Sequence, residues 1–345
     1  MSPKIEVLDA AGTRSRLGYR AAVEALEAAL GSGFDPATDA PRSAVPLGAA
    51  EALLMPSAVG DAIGVKVLTV APGNPARGLP RIQGVHLVFD PGTMAPALVL
   101  DGAALTGVRT PAVSMAAIRR ELTARAAARA TDRATDRATA PTAAGAEVGE
   151  AADAGGAGAA LHVVVFGTGP QAVAHVEALR EVCPDLRIGS VTHVARRAPA
   201  DHDVLHGAGF VAAADAASVA RVLAEAGLVI CATTAREPLF DSAVLADDVV
   251  VVAVGSHEPD ARELDSALMT RSTVIVEDVA TALREAGDVV LAAGEGEFDT
   301  AALVPLVDVV TSRRRAPDGG VRPFVVKTTG MSWEDAVVGH TALGR

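Results

Sequence analysis

The chain has 345 residues, a formal net charge of −12 and only 3 % aromatic residues. Its length suits two domains of ordinary size. The acidic balance argues against a nucleic-acid partner or an anionic membrane surface, and no apolar run reaches the ~18 residues of a membrane span. Hydrophobic residues make up 50 % of the chain. They are largely Ala, Val, Leu and Ile, the composition of a core built on parallel sheet. The opening MSPKIEVLDA lacks the basic-plus-apolar pattern of a signal peptide. Cys183 and Cys231 form no C-x-x-C and lie in apolar contexts, which reads as two buried reduced thiols. A cytoplasmic location is therefore expected. The eight His and two Cys show no ligand spacing, so no metal is expected.

Taken in chain order, residues 1–122 read as one unit. Tyr19–Leu30 has the apolar spacing of an amphipathic helix. Strand-like runs follow at 62–71, 85–89 and 97–100, punctuated by Gly and Pro as in an antiparallel or mixed sheet. LTGVRTPAVSMAAIRREL starts as a loop and turns helical from about Pro111. Residues 123–160 are low in complexity and poor in large apolar side chains, the composition of a flexible insertion. Ala and Arg favour a helical extension to about Ala130, and 140–159 reads as mobile.

From 161 to 322, strands and helices alternate. Strands are predicted at 161–166, 188–194, 208–212, 227–231, 248–253 and 273–277, and helices include 216–226 and 279–286. This alternation implies a parallel sheet with right-handed crossovers. The remainder, 323–345, carries a strand, Gly330 and a short helix, and is expected to return to the first unit. The fold class is thus α/β: a Rossmann-type, doubly wound parallel sheet domain plus an α+β domain.

Within LHVVVFGTGPQA a β-branched run meets a glycine turn that opens a helix. In that setting G-x-G-x-x-A points to a dinucleotide site. Gly167 allows the tight turn, Gly169 lets a pyrophosphate approach the backbone, and Ala172 lets helix and strand pack closely. Thr168, Pro170 and Gln171 complete the turn, whose helix N-terminus offers free N–H groups and a positive dipole end. The competing reading is a βα turn that binds nothing. The second strand ends in Arg196 and Arg197, with no carboxylate at its tip. Two guanidiniums suit a 2′-phosphate, so NADP(H) is preferred and NAD(H) is possible. A solvated surface pair is the alternative, and Asp201 and Asp203 lie a few residues late. Thr233, Val254 and Gly255 end strands at the carboxyl edge, where small residues leave room for a ring.

Two charged residues sit in apolar surroundings. Arg109, in LTGVRTPAV, is costly to bury unless paired. A ligand carboxylate gripped by two parallel bonds is one partner, and an internal Asp or Glu is the other. Lys66 lies in the apolar strand GVKVL. Burial beside a carboxylate would make it a tuned acid–base group, and a snorkelling edge lysine is the alternative. Thr110 is a candidate for cofactor phosphates or a helix N-cap.

GVKVLTVAPGNPARGLP, LVFDPGTMAPALVLDGAALTGVRTPAVS, GTGPQA, VGSHEPDARELD, EAGDVV and FVVKTTGMSWEDA together resemble the ornithine cyclodeaminase/mu-crystallin family, in that family's order. Only 123–160 looks foreign. The resemblance implies an N-terminal substrate-binding and dimerisation domain, a homodimer, and an active site between two lobes. It implies an α-amino or α-imino carboxylate substrate and a nicotinamide cofactor. Arg109 matches the family's carboxylate-binding arginine, Lys66 its strand lysine and Arg42 a second arginine at the pocket mouth. Thr329, in KTTG, matches a turn near the nicotinamide amide. His257 stands where cyclodeaminases carry an aspartate. An imidazole can move a proton near neutral pH but cannot supply a carboxylate's charge beside an iminium. The expected activity is therefore reduction of a cyclic ketimine such as pyrroline-2-carboxylate, with Arg42, Lys66 and Arg109 on the substrate and Lys66, Arg109 and His257 in catalysis. The alternatives are an ammonia-lyase that recycles NAD and a non-catalytic NADP-binding protein.

Overall fold

A computed structural model describes residues 5–139, 160–199, 201–296, 298–313 and 321–344. The elements run β1 (Glu6–Val7), α1 (Ala10–Arg16), α2 (Tyr19–Gly31), β2 (Ser43–Leu47), β3 (Ala50–Val59), β4 (Ala62–Val70), β5 (Ile82–Phe89), β6 (Pro96–Asp101) and α3 (Gly102–Thr139). There follow β7 (Leu161–Phe166), α4 (Pro170–Val182), β8 (Ile188–Ala195), β9 (Gly209–Ala212), α5 (Ala216–Ala224), β10 (Leu228–Cys231), β11 (Val250–Ala253), α6 (Ser266–Arg271) and β12 (Thr273–Val276). The chain closes with α7 (Val279–Glu285), α8 (Gly287–Gly294), β13 (Val304–Pro305), α9 (Leu306–Val310), β14 (Phe324–Lys327) and α10 (Ser332–Thr341).

The first sheet has the order β1-β6-β5-β4-β3-β2. Strands β2 to β6 form an antiparallel meander, with β1 parallel to β6 at one edge. The hairpin β2–β3 lies outside the expected strands. Its Ala-rich, Pro-containing sequence carries little β signal, and it forms through pairing with β4. Along β4 the even-numbered residues Ala62, Gly64, Lys66 and Leu68 are buried, beneath α10 and α3, while the odd-numbered residues are half-buried.

Helix α3 corrects the expected loop. It begins at Gly102, where Asp101 accepts a hydrogen bond from the Ala104 N–H at 2.7 Å, and Pro111 lies inside it. An interior proline costs helix stability, but every residue from Val108 to Ile118 is buried, and burial outweighs that local cost. The helix continues to Thr139, past the expected start of a flexible insertion at 123. The expected mobile stretch, 140–159, lies outside the described residues.

The second sheet is wholly parallel, in the order β13-β12-β14-β11-β10-β7-β8-β9. Its central strands β10, β11, β12 and β14 are buried along their whole length, which accounts for their unbroken Val/Ile runs. The order in which strands are added reverses between β7 and β10, the position at which open α/β sheets form a crevice beyond the strands' carboxyl ends. The expectation for 323–345 is corrected. Strand β14 stays in this sheet, between β11 and β12, and α10 returns to pack on α2, α3, β3 and β4. The fully apolar FVV run fits a slot covered on both faces, whereas Glu334 and Asp335 of α10 pair with Arg109 and Lys66 of the first lobe.

Candidate active site

The crevice begins at the glycine turn. Gly167 has φ +112°, and a Cβ there would sit 2.6 Å from the Ala232 carbonyl oxygen, so only glycine fits. Its N–H donates to Val194 O at 2.9 Å, tying the turn to β8. Gly169 caps α4 with no side-chain acceptor, and a Cβ built on it meets nothing within 4 Å. This open helix N-terminus, with Pro170 in its first turn, fits an anionic pyrophosphate. Thr168 is half-buried in the same turn. The Gln171 side chain turns away, donating from Nε2 to Thr106 O on α3 at 3.1 Å. Arg196 and Arg197 are exposed just beyond β8, the strand beside β7. Asp201 accepts from the Asp203 N–H and caps a short turn.

A second tie between α3 and α4 runs through Ser114 and His175. Burial pushes His175 down to about 4, so its ring is neutral. Its Nδ1–H donates to Gln171 O at 2.7 Å, and its Nε2 accepts from Ser114 Oγ at 3.0 Å. Thr110 is buried one turn earlier in mid-helix. The N-cap alternative for Thr110 is therefore corrected, because the true start of α3 lies at Asp101.

Lys66 and Arg109 meet through α10. Lys66 Nζ is 2.6 Å from Asp335 Oδ2, and both side chains are fully buried. Arg109 Nη1 donates to Glu334 Oε2 at 2.8 Å, and its Nε lies 3.3 Å from Asp335 Oδ1. The carboxylate partners of both cations are thus internal, and Asp335 bridges the two. Lys66 does not snorkel: it occupies a central strand at 0 % exposure. The pairing leaves part of the guanidinium unused, since Nη1 donates to Glu334 while the buried Nε, though ion-paired with Asp335, has no hydrogen-bond partner among the described residues. Gly330 (φ +83°) lies against the same group, and a Cβ there would stand 2.5 Å from Nη1 and 2.7 Å from Nη2.

Burial lowers the Lys66 ammonium, and Asp335 only partly restores it, leaving it at about 8. Burial would raise Asp335, but Lys66 and Arg109 outweigh it and hold the carboxylate below its usual value. Glu334 is driven well above the usual carboxyl range by burial and by Glu277 beside it. His86 lies directly across from Lys66 in the β4–β5 pair. Burial pushes its ring down to about 4. Gly64 and Gly339 make room for it, since a Cβ at either would come within 2.8 Å of its Nε2.

The remaining strand tips are held by buried carboxylates. Glu263 accepts from Thr233 N (2.8 Å), Thr233 Oγ1 (2.7 Å) and Gly255 N (2.8 Å). Glu277 accepts from the N–H groups of Thr329 and Gly330, each at 2.8 Å. Val254 N–H donates to Cys231 O at 2.9 Å. The N–H groups of Thr233, Gly255 and Thr329, all read from sequence as cofactor-facing, are thus committed inside the protein. Arg42 crosses the lobes to pair with Glu285. His257 is accessible at the cleft mouth, yet the surrounding protein lowers its pKa first by desolvation and then through the charge of Arg42. Glu258 and Asp260 both pair with Arg236 at the solvent-exposed surface.

Glu263, Glu277, Asp288, Glu334 and Asp335 were missed by the sequence reading. The available signal was an acid inside an otherwise apolar run, as in VIVEDVA, AGDVVLAA and SWEDAVV. It is the signal that singled out Arg109 and Lys66. Among the described residues no group of His, Cys, Asp and Glu is arranged to hold a metal ion, and no helix is long and apolar enough to cross a membrane. Both cysteines are free and buried.

The sequence matches the description "Ornithine cyclodeaminase/mu-crystallin family" over residues 6–130 and 151–341. The chain belongs to this family. The break at 131–150 falls within the segment that looked foreign. Two relatives match it along almost their full length. The Burkholderia ambifaria Delta(1)-pyrroline-2-carboxylate reductase 2 is 31 % identical, covering 98 % of this chain and 95 % of that protein. The Azospirillum brasilense Delta(1)-pyrroline-2-carboxylate/Delta(1)-piperideine-2-carboxylate reductase is 32 % identical, covering 99 % and 96 %. In fold, the chain is similar to the Thermococcus litoralis Delta(1)-pyrroline-2-carboxylate reductase, whose structure holds NADH and L-proline (TM-score 0.75, 22 % identity, covering 98 % of this chain and 96 % of that one).

Proposed function

We propose that this family member is an NAD(P)H-dependent reductase of a small cyclic imino acid of the pyrroline-2-carboxylate type. The observation that carries this reading is the state of Arg109. Glu334 accepts from its Nη1 and Asp335 lies 3.3 Å from its Nε, yet Nε has no hydrogen-bond partner among the described residues, and the group sits next to the KTTG turn at the tip of β14. A guanidinium held in this way is pre-organised for a carboxylate, so little ordering cost remains at binding. The names and coverage of the Burkholderia and Azospirillum relatives support the same substrate class.

In this reading Arg109 and Arg42 hold the substrate carboxylate, and Lys66 adds positive charge from beneath. His257, neutral near pH 7, orients a water or the substrate nitrogen at the cleft mouth, and Lys66 is the buried proton reservoir. The dinucleotide lies along Gly167, Thr168, Gly169, Pro170 and the Gln171 backbone, with Thr110 facing its phosphates and Arg196 and Arg197 taking a 2′-phosphate. Thr233, Val254, Gly255 and Thr329 form the floor for its ring. When bound, the nicotinamide supplies the hydride, and the protein supplies position and charge. The first 122 residues with α10 form the substrate lobe, and 161–322 with β14 form the nucleotide lobe.

We further propose a cytoplasmic homodimer. The outer face of the first sheet aligns Pro56, Val65, Leu87, Val99 and Val7 in one cross-strand row, flanked by Leu54, Val67 and Val85. An apolar face of that extent favours covering by a second copy.

The test is incubation of the pure protein with pyrroline-2-carboxylate and NADPH or NADH, and separately with ornithine and no reductant. Consumption of reduced nucleotide with formation of proline is the expected result. Ammonia and proline from ornithine alone would establish the lyase instead, and nucleotide binding with no turnover in either assay would establish a non-catalytic binder.

A further inference from the structure

Beneath the carboxyl edge of the parallel sheet, four segments are cross-linked by one buried polar network. Glu263, at 0 % exposure, takes both N–H and O–H of Thr233 beyond β10 and the N–H of Gly255 beyond β11. Asp288, equally buried on α8, accepts from the N–H groups of Glu263 (2.7 Å) and Leu264 (2.8 Å). Lys327, the last residue of β14, places Nζ 2.9 Å from Asp288 and 2.6 Å from Ser256 O. Gly255 is fitted to this arrangement, because a Cβ there would collide with Thr233 O and stand 2.5 Å from Glu263 Oε1.

A buried carboxylate that is not paired directly with a cation is costly unless hydrogen bonds satisfy it. Burial raises the Glu263 carboxyl, and Lys327 and the Thr233 bonds oppose that rise. The core could have closed these two loops with apolar contacts. It instead spends a carboxylate with three donors converging on it, and all three belong to two neighbouring strand tips. Such bonds are directional, so Glu263 fixes the separation and the twist of the Thr233 and Gly255 loops.

We propose that Glu263 is a positioning residue for the nicotinamide end of the cofactor, setting the Thr233 and Gly255 tips so that a flat ring can lie against them. This rests on the reading that the nicotinamide occupies this edge. The glycine turn at Gly167–Gly169 is held by other bonds, to Val194 O and to α3. Glu263 therefore acts on one half of the dinucleotide and not on the other.

The experiment compares affinity for ADP-ribose, which lacks the nicotinamide, with affinity for the full reduced dinucleotide, by calorimetry on the purified full-length protein. Glu263→Gln keeps the shape but turns an NH2 group toward the converging donors. It is expected to weaken the full dinucleotide about tenfold, as loss of a charge-assisted bond predicts, with ADP-ribose affinity within about twofold of wild type. Thr233→Val removes one of the three bonds and leaves the carboxylate in place. It serves where Glu263→Gln fails to fold, shifts the same ratio in the same direction, and is restored by Thr233→Ser. Equal losses for both ligands, or no loss for either, overturn the proposal. Wild-type protein that binds ADP-ribose and the full dinucleotide equally well contradicts the underlying reading rather than the role of Glu263.

Discussion

Asp335 stands between Lys66 and Arg109, 2.6 Å from the ammonium and 3.3 Å from the guanidinium Nε, and so couples β4 to α3 through the C-terminal helix. All three side chains are nearly or wholly buried. Two of the three cations proposed to act on the substrate carboxylate therefore share one acid that lies more than 220 residues from Arg109 in sequence.

Replacing that acid separates stability from charge. Asp335→Asn leaves Lys66 buried without its counter-ion, and removal of one partner from a buried pair costs about 3–5 kcal/mol. Chemical denaturation should show that loss together with a steep fall in kcat/KM. A variant as stable as wild type would mean that Asp335 is dispensable to the cluster.

The proton on Lys66 gives a pH signature with two opposing limbs. The folded value is about 8 against an ordinary 10.5. Between the two the unfolded chain holds a proton that the folded chain has lost, so Lys66 by itself makes stability rise with pH across that window. Its charge on the bound carboxylate fades over the same range. The expected outcome is a kcat/KM that declines above about pH 8 while the melting temperature does not fall in parallel. A flat kcat/KM profile up to pH 10 would remove Lys66 from substrate binding.

Arg109→Lys keeps the charge and discards the planar fork. It should lower kcat/KM about 100-fold, since both the internal anchor and the ligand bond are lost, while the dissociation constant for the reduced nucleotide stays within about twofold. Steady-state kinetics and nucleotide titration check the two halves separately. A parallel loss of nucleotide binding would count against the assignment.

The two motif glycines should behave differently. Gly167→Ala forces a side chain to φ +112° and into the Ala232 carbonyl, a strain of about 1–3 kcal/mol that thermal unfolding should register. Gly169→Ala meets no atom within 4 Å and should melt like wild type, yet bind dinucleotide and ADP-ribose more weakly. Unchanged nucleotide affinity in Gly169→Ala would mean that the turn binds no phosphate.

Arg196→Ala combined with Arg197→Ala tests the cofactor preference. Both side chains are exposed, so stability should stay within about 0.5 kcal/mol. KM for NADPH should rise about tenfold or more with loss of charge-assisted bonds, and KM for NADH should not move. Equal effects on both cofactors would return the arginines to plain surface residues.

Local pattern made the nucleotide lobe readable. A β-branched run, a glycine turn and a helix are encoded within a few consecutive residues, and parallel strands buried on both faces must be uniformly apolar. Arg109 and Lys66 also stood out, because a charge in an apolar run demands a partner wherever the chain leads. The start of α3 was misjudged, since Pro111 and two glycines argue locally against helix. The deciding fact was the burial of eleven consecutive residues between the lobes, which no local window contains.

By itself, then, the sequence determined the alternating α/β order, the phosphate-type turn and the two cations that cannot be left unpaired, because each follows from chemistry within a short stretch of chain. Tertiary structure alone decided that those cations answer to Glu334 and Asp335, that β14 inserts between β11 and β12, and that Glu263 fixes two strand tips. Ion pairs and strand neighbours depend on which distant segments pack together, and that is settled by the burial of the whole chain at once.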